Sequence, residues 1–136
     1  MKYFLTLLLV LLTITLPSCT DKKSKETTKQ VAPEDLVEIK DGHYKEWYPG
    51  KKQMKYQGEL NQKGDREGKW NFYSEKGTLL SFTFYAAGKK NGYSVVKYPN
   101  GKIHYYGAYK DDQMVGEWIT YDQQGQKTIK NFNPYE

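Results

Sequence analysis

The chain is short of cysteine, histidine and long apolar stretches, and each shortage excludes a class of protein. Its 136 residues include one cysteine and two histidines. A single cysteine excludes a disulfide framework and a cysteine-rich zinc site, and two histidines argue against a histidine-rich metal site. A mean hydropathy of −0.87 excludes a multi-span membrane protein and a large apolar core.

Tyrosine, tryptophan and glycine are what the chain has in quantity. There are 13 tyrosines, 3 tryptophans and 12 glycines against 5 prolines. A chain that is rich in tyrosine and glycine and poor in aliphatic residues favours short strands and tight turns over packed helices. Its length is that of about one domain.

The N-terminal residues have the pattern of an export signal. Lys2 precedes an apolar run over residues 4–16 that is interrupted only by threonine. The run is too short to span a bilayer, which needs about 20 residues, and it fits the apolar region of a secretory signal. The following Leu16-Pro17-Ser18-Cys19 resembles the bacterial lipobox, and Cys19 is the only cysteine in the chain. The resemblance implies cleavage before Cys19 and lipid attachment to its thiol. An ordinary cleaved signal with an incidental cysteine is the alternative.

These features predict three segments. Residues 1–18 form a lipoprotein signal peptide, residues 19–40 the lipidated cysteine and a flexible tether, and residues 41–136 a repeat domain. Residues 20–30 contain no apolar side chain and cannot offset the entropy of folding. We expect the lipid to anchor the protein in the bacterial cell envelope. Because Asp21 and Glu26 are isolated among lysines, we expect the outer membrane and its periplasmic side rather than surface display.

The glycines reveal an internal repeat of about 24 residues. Gaps of 26, 24 and 24 residues separate Gly42, Gly68, Gly92 and Gly116, and a second set is Gly50, Gly77, Gly101 and Gly125. Such a period indicates repeated supersecondary units. Each unit reads as strand, turn, strand, turn. Turns between units are predicted at residues 63–65, 88–92 and 110–112, and Asn-Gly predicts a hairpin turn with Gly101 at positive φ. Before the repeats, residues 33–37 fit a helical turn, and an edge strand over residues 36–39 is the alternative.

The repeat has a recognisable sequence signature. Gly68-Lys69-Trp70-Asn71-Phe72-Tyr73 and Gly116-Glu117-Trp118-Ile119-Thr120-Tyr121 share a glycine, a tryptophan and a tyrosine at the same spacing. This pattern resembles the MORN repeat, and is most similar to the bacterial variant in the YwqK family of proposed antitoxins. The resemblance implies an all-β fold, an antiparallel meander of β-hairpin repeats forming one elongated twisted sheet. It also implies an interaction scaffold without chemistry of its own.

Alternation of side chains along each strand separates two faces of this sheet. We expect a buried repeat core formed by Trp70, Phe72, Phe82, Phe84 and Trp118. Stacking of the tryptophans on a sugar or peptide is the alternative. Alternation places Tyr85 opposite Phe82 and Phe84, and Tyr106 opposite its neighbours, so we expect these tyrosines to be exposed and to be candidate partner-binding residues. A merely solvated face is the alternative.

The sequence predicts no catalytic, cofactor or metal residues. His43 and His104 have no neighbouring residues at ligand spacing, and Glu75, Asp111 and Asp112 lie in predicted turns. The predicted function is therefore a lipid-anchored, non-catalytic binding scaffold, with an envelope protein or glycan as partner and no nucleic acid. The alternatives are an immunity or antitoxin-like protein that neutralises an exported toxin, and a glycan-binding accessory or enzyme of the cell wall.

The lipid anchor generates the first testable prediction. Cells fed a fatty-acid analogue should label this protein, and Cys19→Ala should abolish the label, because Cys19 closes the lipobox and is the only thiol. In-gel detection of the label after immunoprecipitation measures both. A label that survives in the Cys19→Ala variant would refute the assignment.

Overall fold

A computed structural model of the protein describes residues 33–133. The predicted signal peptide, Cys19 and residues 19–32 of the predicted tether lie outside the described residues. One 3-10 turn at Pro33–Leu36 precedes nine strands, which are β1 (Val37–Lys40), β2 (His43–Trp47), β3 (Met54–Leu60), β4 (Arg66–Tyr73), β5 (Leu79–Ala86), β6 (Lys89–Lys97), β7 (Ile103–Lys110), β8 (Gln113–Tyr121) and β9 (Lys127–Phe132). Within this part of the chain, no helix has the length and apolar character needed to cross a bilayer.

The nine strands form one open sheet in chain order, and every neighbouring pair is antiparallel. The predicted all-β antiparallel meander is therefore confirmed. No second layer covers the sheet within residues 33–133. Each strand contacts chiefly its neighbours in sequence, so the sheet grows by addition of one hairpin after another.

The first strand lies before the predicted start of the repeat domain. Both alternatives for this segment are present, a 3-10 turn and then the edge strand β1. β1 pairs with β2 from Val37 opposite Glu46 to Lys40 opposite His43. The sheet thus begins at Val37 and not at residue 41, because the Asp41-Gly42 turn joins two strands and does not precede the first one.

Tight two-residue turns join β1 to β2, β5 to β6 and β7 to β8. Both of their central residues take positive φ, and these pairs are Asp41–Gly42, Ala87–Gly88 and Asp111–Asp112. This geometry matches the twist of the flanking strands. The turn predicted at residues 88–92 is present but shorter and earlier, because Ala87 and Gly88 close it alone and β6 already begins at Lys89.

Longer turns, each closed by a glycine at positive φ, join the other hairpins within the repeats. In Tyr98-Pro99-Asn100-Gly101, the Gly101 amide donates to the Tyr98 carbonyl at 2.9 Å and Gly101 has a φ of +85°. The prediction for Gly101 is confirmed. Only this residue of the Asn-Gly pair takes positive φ, because Pro99 sets up a type I turn that ends on the glycine.

A register shift recurs at the same place in three strand pairs. It lies between Gln57 and Glu59, between Thr83 and Tyr85, and between Tyr106 and Ala108. The partner strand at each place contains a glycine at positive φ, namely Gly68, Gly92 and Gly116. Extra residues on one strand form β-bulges, which bend the strand and increase its twist. Gly68, Gly92 and Gly116 therefore serve bulges, whereas Gly42 of the same set and the second set of repeat glycines serve turns.

The core consists of tryptophans that lie on glycines of the neighbouring strand. Trp70 and Trp118 are 5% and 4% exposed. A Cβ atom added to Gly58 would lie 2.4 Å from the Trp70 ring, and one added to Gly107 would lie 2.2 Å from the Trp118 ring. Only glycine leaves room for the indole to lie flat on the sheet. At about 25 cal/mol per Å², burial of each ring contributes about 4–6 kcal/mol before entropy is counted.

In the repeat between the two tryptophans, small polar residues take the positions of the tryptophan and its glycine. Ser94 takes the tryptophan position, and Thr83 takes the position of the glycine, as the pairing of Thr83 with Ser94 and of Ser94 with Gly107 shows. The two hydroxyl oxygens are 2.8 Å apart and form a hydrogen bond, and Ser94 is 4% exposed. A large ring opposite glycine is thus replaced by two small side chains that bond to each other.

We call Gly58 and Gly107, on which the two indole rings lie, the glycine seats. The glycine seat under Trp118 leads to a prediction about the stability of the fold. Gly107→Ala should destabilise the fold by about 1–3 kcal/mol, the usual cost of overpacking, because its Cβ would meet the indole ring. Urea unfolding measures this. Gly107 is not among the glycines at positive φ, so the cost reports the clash with the indole ring and not backbone strain.

A Trp118→Leu background tests the mechanism of this effect. The smaller side chain removes the clash, so most of the cost of Gly107→Ala should disappear there. An equal cost of Gly107→Ala in both backgrounds would show that the tryptophan does not require the glycine.

Candidate functional site

The two faces of the sheet carry different side chains from those that alternation alone predicted. We call the face with Trp70 and Trp118 the tryptophan face. Trp70 pairs with Thr83, and Asn71 pairs with Phe82. Phe82 and its neighbour Phe84 therefore lie on the opposite face, and Phe84 is 37% exposed. The expectation that Phe84 is buried beside Trp70 is wrong, because the register between β4 and β5 assigns them to different faces.

Trp70 and Phe72 lie on the tryptophan face, as their pairing with Thr83 and Ser81 shows. Trp70 is buried, as expected, and Phe72 is half-buried against Tyr56 with ring centroids 4.8 Å apart. Phe82 is half-buried on the opposite face, and its ring meets that of Phe84 edge-on at 6.2 Å. The predicted core residues therefore divide between two faces.

Tyr85 and Tyr106, the candidate partner-binding residues, lie on different faces and are half-buried. The Tyr85 ring lies 6.2 Å from that of Trp70, so Tyr85 belongs to the core of the tryptophan face. Tyr106 pairs with Val95 and Ile119 on the opposite face. The prediction that both are mostly exposed is wrong, since neighbouring rings cover a single-layer sheet on both sides.

A first aromatic cluster surrounds Trp70. The Tyr44 ring lies 5.1 Å away, and the Arg66 guanidinium lies 4.6 Å from the Trp70 ring and 5.3 Å from the Tyr85 ring. Arg66 Nη1 also donates to Tyr85 Oη at 3.3 Å. The indole N–H donates to the Glu59 carbonyl at 3.0 Å, which satisfies a buried polar group.

A second aromatic cluster surrounds Trp118, which is buried as predicted. Its ring lies 4.9 Å from that of Tyr109, 6.1 Å from that of Tyr105 and 6.4 Å from that of Phe132. Its indole N–H donates to the Ala108 carbonyl at 3.1 Å, as that of Trp70 does to Glu59. An open groove of about 340 Å³ runs beside this cluster.

The opposite face carries a continuous row of paired side chains across seven strands. From β3 to β9 the row consists of Gln57, Asn71, Phe82, Val95, Tyr106, Ile119 and Ile129. It is polar in β3 and β4 and apolar or aromatic from β5 onward. The opposite face is therefore polar towards β1 and apolar towards β9.

Three of the five exposed large apolar side chains within residues 33–133 lie on the apolar half of the opposite face, and the other two, Ile39 and Ile103, are not part of this group. Phe84, Tyr93 and Ile129 are 37%, 68% and 45% exposed and share this face. We call these three residues the exposed apolar patch. Alternation with Val95 could have identified Tyr93 from the sequence, whereas Ile129 needed the strand register. Exposed apolar residues that share a face are candidates for an interaction surface.

The polar half of the opposite face forms a shallow groove of about 550 Å³ that includes Lys45, Gln57, Glu59 and Lys69. Its charges are mixed. His43 also lines it, and no group of three or more histidine, cysteine or acidic side chains within residues 33–133 is placed to hold a metal ion. His104 is elsewhere and stacks on Tyr98 with ring centroids 4.3 Å apart.

Two tyrosine hydroxyls each link one repeat to the following repeat. Tyr48 Oη donates to the Tyr73 carbonyl, and Tyr98 Oη donates to the Tyr121 carbonyl, both at 2.8 Å. Burial raises the pKa of Tyr48. Burial, with Glu46 next, also raises the pKa of Tyr44.

The pKa values of two further groups are also raised. Burial, followed by the neighbouring Tyr121, raises the pKa of Tyr106. The hydrogen bond from Lys55 Nζ to Glu46 Oε1, at 2.7 Å, raises the pKa of Lys55.

No protein-family model matches this chain, and a search of the curated proteins found no match. The site is therefore defined by its geometry, which consists of two aromatic clusters on the tryptophan face and the exposed apolar patch on the opposite face.

The raised pKa values predict that the fold becomes less stable at alkaline pH. A group whose pKa is higher in the folded state keeps a proton that the unfolded chain releases, so its stabilisation is complete below its ordinary pKa and falls as pH rises beyond it. The ordinary values are 10.0 for tyrosine and 10.5 for lysine. The free energy of unfolding, from urea titrations, should therefore decrease as the pH is raised above about 10.

Tyr48→Phe should make this decrease shallower, because it removes one titrating phenol while it keeps the ring. At neutral pH it should cost about 0.5–1.5 kcal/mol for the lost hydrogen bond. Tyr93→Phe, at the exposed position, is the matched control. An unchanged alkaline slope in Tyr48→Phe would contradict the role of its hydroxyl.

Proposed function

We propose that this chain is a lipid-anchored, non-catalytic scaffold of the bacterial cell envelope that binds another envelope protein. The exposed apolar patch carries the proposal. Phe84, Tyr93 and Ile129 lie on one face of a sheet that has no second layer within residues 33–133. Aromatic side chains are enriched in the cores of protein interfaces, so a partner surface is the natural cover for this face.

The anchor follows from the sequence alone. Leu16-Pro17-Ser18-Cys19 resembles a lipobox, and a polar segment over residues 20–30 connects it to the sheet. Two or three acyl chains hold a protein stably on a membrane, where one chain would not. We place the scaffold on the periplasmic side of the outer membrane, because no acidic cluster follows Cys19.

The repeated hairpins support a relation to MORN-type scaffolds. The glycine, tryptophan and tyrosine of the repeat each have a structural role that recurs at the repeat period. Bulge glycines Gly68 and Gly116 precede Trp70 and Trp118, which lie on glycine seats. Since the recurring residues serve packing, we assign binding to the residues that do not recur, such as Tyr93.

A photo-reactive amino acid at position 93 tests this function in living cells. Cross-linking from this position should give a discrete adduct larger than the protein, and protease treatment should degrade its added mass if the partner is a protein. Lys45 is the matched control, because it lies on the polar half of the same face. Phe84→Ser should reduce the yield from position 93, because Phe84 lies beside Gly92 at the same part of the patch.

Three results would contradict the proposal. These are the absence of any adduct from position 93, an equal adduct from position 45, and an added mass that resists protease but is removed by a glycan hydrolase. The last would assign the face to cell-wall glycan instead.

A further inference from the structure

The tryptophan face contains the same groove twice. The first lies beside Trp70 between β3, β4 and β5, and the second lies beside Trp118 between β7, β8 and β9. The strand registers of the two grooves match. Trp70 pairs with Thr83 in the first groove, and Trp118 pairs with Lys130 in the second. Tyr56 likewise pairs with Phe72, and Tyr105 pairs with Thr120. The side chains at equivalent positions of the two grooves can therefore be compared one by one.

Phe72 and Arg66 fill the first groove, whose volume is about 60 Å³. The Phe72 ring lies 4.8 Å from that of Tyr56, and the Arg66 guanidinium covers Trp70. In the second groove, smaller or uncharged side chains take these two positions, Thr120 for Phe72 and Met114 for Arg66. Its volume is about 340 Å³. The space that a phenylalanine ring occupies beside Tyr56 is therefore open beside Tyr105.

The second groove carries its positive charge at a different position from the first, whose positive charge is that of Arg66. Lys130 takes the position of Thr83, and its ammonium lies 4.8 Å from the Phe132 ring. Lys90 lies 4.7 Å from the ring of Tyr109, which lines the groove. Neither lysine forms an ion pair within residues 33–133, where the ion pairs are those of Lys51 and Lys55. An anion would thus find two unpaired ammonium groups next to an aromatic wall.

We propose that the second groove binds an acidic peptide segment of a partner protein, with an aromatic side chain in the open space beside Tyr105 and a neighbouring carboxylate at Lys130. A peptide is favoured because the groove ends at β9, which pairs only with β8 among residues 33–133. An extended segment can add to such an edge and present alternate side chains to one face. This inference goes beyond the proposed function, because the groove and the exposed apolar patch lie on opposite faces.

Three short peptides test the ligand chemistry on the purified protein. The probes are acetyl-Glu-Phe-Glu-amide, acetyl-Glu-Ala-Glu-amide and acetyl-Lys-Phe-Lys-amide, and the readout is the NMR shift of the Trp118 indole N–H. The first peptide should move this signal saturably. The other two should bind at least about tenfold more weakly, because the second peptide lacks the aromatic ring and the third lacks the carboxylates. The Trp70 indole N–H is the internal control and should not move.

Two variants that copy the first groove test the location. Thr120→Phe should abolish peptide binding and leave the protein folded, because Phe72 fits at the equivalent position. Lys130→Thr, which copies Thr83, should remove the preference for acidic over basic peptides. Lys127→Thr is the matched control for loss of a β9 lysine, since Lys127 pairs with Tyr121 at the other end of the strand. If Thr120→Phe fails to fold, Lys130→Thr and the three peptides still test whether the second groove binds an acidic peptide.

Several results would overturn the inference. These are no saturable shift of Trp118 with acetyl-Glu-Phe-Glu-amide, equal affinity for the three peptides, a shift of Trp70 in place of Trp118, and unchanged binding by folded Thr120→Phe. Equal or tighter binding of oligogalacturonate, an anionic sugar chain without an aromatic ring, would assign the groove to glycan. Cross-linking from position 93 should be unaffected by Thr120→Phe, so this inference and the proposed function can fail separately.

Discussion

A sheet without a second layer must bury apolar surface against its own backbone, and the seating of tryptophan on glycine is how this protein does so. Trp70 and Trp118 lie flat on Gly58 and Gly107, and each indole N–H donates to the carbonyl of the residue after that glycine. The hydrogen bond fixes the ring orientation, and the glycine makes the close approach sterically available. The tyrosines, Phe132 and Arg66 then pack against rings that are already held in place.

The packing repeats every second hairpin and not every hairpin. The middle unit replaces the tryptophan and its glycine with Ser94 and Thr83, which bond to each other at 2.8 Å. Tyrosine hydroxyls follow the same spacing, because Tyr48 and Tyr98 bond forward to the next repeat whereas Tyr73 accepts from Gln57. This alternation separates the two aromatic clusters along the sheet.

The surfaces that we propose for binding are the places where the repeat changes. Thr120 and Met114 replace bulky residues of the equivalent groove, and Tyr93 stands in a repeat that lacks the tryptophan. A repeat protein stabilises itself with its recurring residues, so substitutions at the remaining positions alter the surface without loss of the fold. Both proposed binding sites accordingly lie at departures from the repeat.

Local patterns in the sequence determined the all-β class, the meander of hairpins, the position of Gly101 and the burial of both repeat tryptophans, because turn chemistry and a short period act between near neighbours. The tertiary structure alone decided which residues share a face. Alternation orders side chains within one strand, but bulges and the register between strands set the relation of Trp70 to Phe84, and of Tyr85 to Tyr106. A shift of one residue exchanges the two faces, and no local pattern in the chain records that shift.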